Sequence, residues 1–284
     1  MSNGDESLLR QLGHVVVGGY YDHQAVRTAT QNRIRDLVRK RNEGIPFDQV
    51  EEKKEKKTYD KKYRDEFLPL LLDDMLQNKK LTQSEYDYLQ KLLSAEKEAH
   101  KYEDKYKPLM LEYIRQEKLY REWLSKVRGI GPVLGANLIH RFGYCEKAHH
   151  VSSLWKFCGL HVVNGTAAKR ARGERADWNH DARVLAWKVA DSFIKQRTQP
   201  YRRIYDDEKL RQVELMENKA PNAPVSLKHA DNRARRRMVK IFLAHYWQVS
   251  REIAGLSTSG SYAQDRLGHP APHMIPPPKW KRSE

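Results

Sequence analysis

The chain is short of cysteine: it has 2 in 284 residues, Cys145 and Cys158. Two cysteines cannot build a disulfide framework, which fits a reducing compartment. Long apolar runs are also missing, none approaching the roughly 18 residues a membrane-spanning helix needs. The opening MSNGDESLLR lacks the basic-then-apolar layout of a secretory leader. No self-similarity appears at periods of about 20–50 residues, which excludes a solenoid. Strand-like sequence is nearly absent as well. HVVVGGYY, from His14 to Tyr21, is the one run with β-branched residues followed by glycines that reads as a strand.

An acidic balance is lacking too. Against 53 lysines and arginines stand 37 aspartates and glutamates, a formal net charge of +16. With a pI near 9.7, such a surplus argues for an anionic partner, nucleic acid first. An anionic membrane surface is the competitor, and the missing apolar runs speak against it. A soluble protein of the cytoplasm, associated with the nucleoid and not with membrane, is expected.

What is present is helical periodicity. Residues 23–42 read as a helix that NEGIPFD interrupts. The stretch 49–64 is mostly Lys and Glu, a solvated helix or linker. LTQSE supplies a capping box, Thr82 as N-cap and Glu85 three residues on. The helix it opens should end or kink at Pro108. A second pattern follows, with Tyr113, Tyr120, Trp123 or Leu124, and Val127 on one face. Val133 to Arg141 is short and helical, and SSLWKFCGL gives another turn or two, stopped by Gly159. Residues 164–181 lack apolar period and read as a basic loop or hairpin. Helices should resume at about 181–197, 200–217 and 229–254, before a proline-rich, extended tail. The fold class is therefore all-α, a helical bundle. The expected divisions are a helical N-terminal region over 1–122, a binding domain over 123–256 and the tail over 257–284.

The turn in KVRGIGPVLGANLIHRFG carries the most chemistry. Gly129, Ile130 and Gly131 have the form Gly-apolar-Gly that joins the helices of a helix-hairpin-helix element. Glycines there permit unusual backbone angles and close approach to a ligand. The amides opening the next helix then bind a phosphate oxygen, aided by the helix dipole. Pro132 suits the first helical position. Ala136, Leu138 and Ile139 should pack on Leu124 and Val127, while Lys126 and Arg128 add charge beside the turn. A plain αα-turn also favours glycine; the spacing, the proline and the flanking charge favour the hairpin.

The order of elements beyond this turn resembles one family. GIGPVLGANLIHRFG, then SSLWKFCGL, an Asn-Gly, a basic stretch and a helix with Arg and Leu are similar to its C-terminal domain. The family is the insertion-sequence transposase family that includes the Piv DNA invertase, family one-ten. The resemblance covers about residues 123–200 and implies DNA recombination or transposition. Two departures bear on chemistry. Where the family has a nucleophilic serine before a glycine, this chain has Asn164 before Gly165, and an amide cannot form a phosphoserine link. Thr166 is out of register, and Ser152 and Ser153 read as a helix N-cap. The family's N-terminal domain is an RNase-H-like α/β fold with acidic metal ligands. Here VVVGGYYDH looks like its first strand and aspartate, Asp22, yet no further strands follow before residue 125. The paired carboxylates Asp73, Asp74, Asp206 and Asp207 read as helix-surface charge.

Other constellations are weaker. Cys145, His149, Cys158 and His161 pair as Cys-x3-His and Cys-x2-His, but the spacing matches no standard zinc finger. No metal or cofactor is expected. AKRARGER contributes Lys169, Arg170, Arg172 and Arg175. DNRARRRMVK places Arg233, Arg236, Arg237 and Lys240 on one helical face, opposite Met238, Ile241, Phe242, His245 and Val249. Such a face suits phosphate contact. Of the tryptophans, Trp155, Trp187, Trp247 and Trp280 read as core or interface, while Trp178 in the basic loop could stack on a base. The reading is a transposase- or recombinase-like DNA-binding protein, with DNA, branched DNA included, or structured RNA as partner. A catalytically inactive DNA- or RNA-binding module is the alternative. A helical scaffold, dimeric through helices in 82–127, is the second.

Overall fold

The structure, a computed structural model, describes residues 3–44, 63, 67–163, 165–169, 173–219, 226–258 and 275–280. Its elements are α1 (Asn3–Glu43), α2 (Leu68–Gln77), α3 (Gln83–Gln116), α4 (Lys118–Glu122) and a 3-10 turn (Leu124–Lys126). They continue with α5 (Pro132–Phe142), α6 (Val151–Phe157), β1 (Val162–Val163), β2 (Thr166–Ala167), α7 (His180–Gln196), α8 (Tyr201–Lys219) and α9 (Leu227–Ile253). The fold is all-α, and among the described residues β1 and β2 form the only sheet. No described helix is long and apolar enough to cross a membrane. Two compact units divide the chain: residues 14–109, and residues 1–13 together with 110–284.

In the first unit α1 and α3 pair antiparallel along a heptad seam. Gln24 donates to Glu103 at 2.9 Å and Gln31 to Glu96 at 2.6 Å. One partner's number rises by seven as the other's falls by seven, the signature of antiparallel packing in heptads. At one end of the seam Ile34, Val38, Leu89 and Leu93 bury with Leu68, Leu72 and Met75 of α2. Its middle is polar: Glu103, 4% exposed, pairs with Arg27 at 2.6 Å. The capping box forms as expected. Thr82 N donates to Glu85 Oε2 at 2.8 Å, and Glu85 N donates to Thr82 Oγ1 at 3.2 Å.

One local expectation fails in this unit and another fails in part. HVVVGGYY is helix, not strand. Val15 is 68% exposed while Val17 and Tyr20 are 2% and 5% exposed. That spacing is helical, since a strand would alternate, and packing overrides the β-propensity of three valines. The Tyr106 ring lies only 2.4 Å from where Gly19 would carry a Cβ, so the helices approach closely there. Asp22 consequently sits on a helix, and among the described residues no sheet surrounds it. Of the end or kink expected at Pro108, the end does not occur, because α3 continues to Gln116. Pro108 is solvent-exposed, where its ring lacks one backbone donor that a helix interior would otherwise use. The charged stretch 49–64 lies outside the described residues except Tyr63, a buried ring whose hydroxyl donates to Glu43 and accepts from Asn42.

The second unit is built around α9, which packs on α8, α7 and α6. Its centre is aromatic: Phe193 stacks on Tyr201 at 4.6 Å and meets Phe242 edge-on at 5.1 Å. Burying each such ring contributes roughly 2–3 kcal/mol of transfer free energy. Four indole N–H groups find acceptors here, Trp123 on Pro278 O, Trp155 on Lys240 O, Trp247 on Ala148 O and Trp280 on Glu252, the polar handle that packed tryptophans use. Residues 275–280 thus lie against the core, and His245 Nε2 also donates to Ile275 O at 2.7 Å. The remaining tail, 259–274 and 281–284, is outside the described residues. The helices at 180–196, 201–219 and 227–253 fall within three residues of the expected bounds. The single helix expected before the glycines is instead the end of α3, then α4 and the 3-10 turn. Glu117 takes an extended conformation between α3 and α4, and its carboxylate accepts from Tyr144 at 2.9 Å.

Candidate nucleic-acid interface

The turn before α5 is held from the inside. Ser192 Oγ donates to Gly129 O at 2.7 Å, and Thr198 Oγ1 donates to Arg128 O at 2.9 Å. Ser192 lies in the last turns of α7 and Thr198 just beyond its end. Gly129 has φ +89, a conformation side chains resist. A Cβ there would meet Ser192 Oγ at 3.0 Å and Thr198 Oγ1 at 3.2 Å. Ile130 is buried at 4% exposure. Gly131 differs: it is exposed, extended at φ −80, and a Cβ would meet nothing within 4 Å. As N-cap of α5 it offers no side-chain cap, and Pro132 follows at the first position. Ala136, Leu138, Ile139, Leu124 and Val127 are all buried, as expected.

Lys126 and Arg128 are exposed beside this turn, and neither has an ion-pair partner among the described residues. Arg197, which the sequence reading missed, joins them in the same condition. It ends α7 in the left-handed region, next to Thr198. Nothing in the sequence marks it, because its proximity to Arg128 depends on the Thr198 bond.

The basic loop packs around Trp178. That ring lies against Gly159, meets His161 edge-on at 6.2 Å and carries the Arg183 guanidinium at 5.1 Å. β1 and β2 form a short hairpin pairing Val162 with Ala167 and Val163 with Thr166. Lys169 and Arg175 are exposed along a cleft of about 460 Å³ that His161, Thr166 and Trp178 also line. Asp177 supplies negative charge there, 3.5 Å from His161 Nε2 and 3.7 Å from Lys156. Asn164, Arg170 and Arg172 lie outside the described residues.

The cations of α9 keep their helical spacing but do not share one free outward face. Arg233 donates to Gln212 at 2.7 Å and Arg237 pairs with Glu208, both toward α8. Arg236 donates to Leu160 O at 2.8 Å and His161 O at 2.7 Å. Lys240 stacks 4.0 Å over Trp155 of α6. Burial, with Arg236 beside it, pushes the Lys240 ammonium down to about 8. Arg236 is lowered as well, by burial first and by the charge of Arg183 second. Arg183 is the second cation the sequence reading missed.

Candidate chemistry is sparse. Ser152 and Ser153 do not cap α6. The N-cap is His150, without a side-chain hydrogen bond, and burial of Val151 and Leu154 sets where the helix begins. Thr166 Oγ1 donates to Val163 O at 3.1 Å, tying it to the hairpin turn. The paired aspartates bind neighbouring side chains on helix surfaces. Tyr86 donates to Asp73, Asn78 to Asp74 and Arg202 to Asp206, and Arg203 pairs with Asp207 at 3.6 Å. Among the described residues no group of three or more His, Cys, Asp or Glu could hold a metal. Burial pushes both cysteine thiols up, Cys145 to about 12, so they remain protonated and are poor nucleophiles.

The turn, the hairpin and α7 occur in one stretch of chain. Residues 121–206 match the model of the transposase IS116/IS110/IS902 family. No curated protein and no solved structure matches the chain. The matched segment runs from α4 into α8 and contains Lys126, the glycine turn, Trp178, Arg183 and Arg197. The cations of α9 lie beyond it. The match supports a transposase- or recombinase-like role in transposition, with DNA as the implied partner.

Proposed function

We propose that the chain binds DNA through the glycine turn and the cations around it, as a recombinase-like module that does not itself cut. The observation that carries this reading is the turn. Its carbonyls are engaged inward by Ser192 and Thr198, while Lys126 and Arg128 stay exposed and without carboxylate partners. The uncapped N-terminus of α5 is suited to a phosphate oxygen. Lys169, Arg175, Arg233, Arg236 and Lys240 extend the positive field, Arg237 adds to it only beyond its pair with Glu208, and Trp178 borders it. The absence of cleavage rests on Asn164 at the nucleophile position and on the helix-surface role of the aspartates. The test is a gel-shift series with duplex DNA, branched DNA and RNA, with and without magnesium. The reading expects duplex or branched DNA to bind, and expects Lys126→Gln with Arg128→Gln to weaken that binding. Equal affinity of that double variant and the native chain would refute the role of the turn.

Self-association is a second reading, favoured by apolar exposure along α3. Tyr88, Tyr102 and Leu109 are 68%, 49% and 44% exposed, and fall at multiples of seven residues, the spacing of a helix-pairing seam. Sedimentation of the native chain beside Tyr102→Glu tests it: a dimer lost in the variant supports the reading, and a native monomer at micromolar concentration ends it.

A further inference from the structure

Three cations meet where α6, α7 and α9 come together, and none is neutralised. Arg183, Arg236 and Lys240 are half-buried, with Arg183 close enough to act on Arg236 and Arg236 close enough to act on Lys240. Among the described residues none of them pairs with a carboxylate. Asp177, the acid beside the neighbouring loop, approaches His161 and Lys156 instead. Elsewhere on α9 the fold treats arginine differently: Arg235 is paired with both Asp191 and Asp231 at 2.9 Å. Like charges packed together without a counter-ion destabilise a fold, and a bound anion removes that cost.

The three side chains are also aimed. Arg236 is oriented by the carbonyls of Leu160 and His161, both taken by a single nitrogen, Nη2, which leaves Nε and Nη1 without those acceptors. Arg183 reaches Ala168 O at 3.4 Å across the Trp178 ring. Lys240 rests on Trp155, whose indole N–H is bound to the Lys240 carbonyl. Cations held in place over aromatic faces present remaining donors in a fixed geometry. A separate sign lies alongside: His161 Nδ1 is buried and has no hydrogen-bond partner. A tetrahedral anion with several acceptor oxygens suits this set better than a carboxylate, which offers two.

We propose that Arg183, Arg236 and Lys240 form a binding site for a phosphate group, contributed by the backbone of a nucleic-acid strand. This rests on the DNA-binding reading above and deepens it, since it gives one phosphate a defined position away from the glycine turn. A free phosphate is the other source of the same chemistry. The site joins Arg183 in the matched segment to α9 outside it, so it would tie the last helix to the bound strand.

The test uses the full chain with Arg183→Gln and Lys240→Gln, each checked by circular dichroism for native helix content. Arg236 is avoided because it holds two backbone carbonyls. With a duplex oligonucleotide, each variant should bind roughly tenfold more weakly, with the slope of log affinity against log salt shallower by about 1. In a second arm, thermal unfolding is followed in phosphate and in chloride at equal ionic strength. Phosphate should raise the Tm of the native chain more than that of either variant. Stabilisation by phosphate alongside unchanged oligonucleotide affinity in the variants would assign the site to free phosphate and overturn the nucleic-acid source. Should the native chain bind no oligonucleotide, the DNA-binding reading fails, and the phosphate arm alone decides the site. Variants that match the native chain in both arms overturn the site.

Discussion

Gly129 and Gly131 sit one residue apart in the same turn, yet the structure gives them opposite tasks. Replacing Gly129 by alanine forces a side chain into φ +89, which costs about 1–2 kcal/mol. The new Cβ would stand 3.0 Å from Ser192 Oγ and 3.3 Å from Phe193. Those atoms hold the turn, so they cannot retreat without breaking the bonds to Gly129 O and Arg128 O. Crowding of this kind adds about 1–2 kcal/mol. The expected total is about 3 kcal/mol, a fall in Tm of roughly 5–10 °C for a unit of this size. Gly131→Ala has normal backbone angles and open space, and should cost less than about 1 kcal/mol, chiefly from a poorer N-cap. Gly131→Val should behave similarly in stability while obstructing the approach of a phosphate to α5. Thermal unfolding by circular dichroism and DNA binding by fluorescence anisotropy separate the two effects. Gly129→Ala as stable as the native chain would refute the account of the turn. So would a Gly131→Val variant with native affinity.

Three further outcomes follow from other parts of the molecule. Glu103→Leu should destabilise by about 3 kcal/mol by leaving Arg27 without its carboxylate, and adding Arg27→Met should restore most of that; urea titration of the three variants checks it. His245 is pushed down to about 4 by burial, opposed by its bond to Ile275 O. The unfolded chain therefore binds the extra proton between pH 6.5 and 4, and stability should fall by about 3 kcal/mol as pH drops through that window. His245→Gln should flatten that part of the profile in pH-dependent unfolding. Finally, incubation with DNA and magnesium should yield neither nicks nor an adduct that survives denaturation. An adduct that disappears in Thr166→Ala would restore an enzyme reading.

The parts of the fold that local chemistry dictates were legible in the sequence. Thr82 and Glu85 bond to one another whatever packs nearby, and Gly159 ends α6 with φ +63. The apolar face of α9 was visible because Met238, Phe242, His245 and Val249 are continuous at helical spacing. The seam between α1 and α3 was not, because Gln24, Arg27, Gln31, Glu96 and Glu103 occupy its middle and read as surface. Only their mutual bonds make them interior. HVVVGGYY failed for the same reason: its periodicity becomes plain only once Tyr106 lies over Gly19. On the site, the turn and its cations could be read from spacing. The division of the α9 arginines could not, since Glu208 and Gln212 of α8 receive two of them. Arg183 and Arg197 carry no motif at all and gain significance only from the chain segments packed beside them.

The claim that the chain binds DNA through phosphate contacts is tested most directly by the salt dependence of duplex binding by the full chain. With about six phosphates neutralised, log affinity should fall with log salt at a slope of roughly −5. A slope near zero, or no binding at low salt, would contradict it.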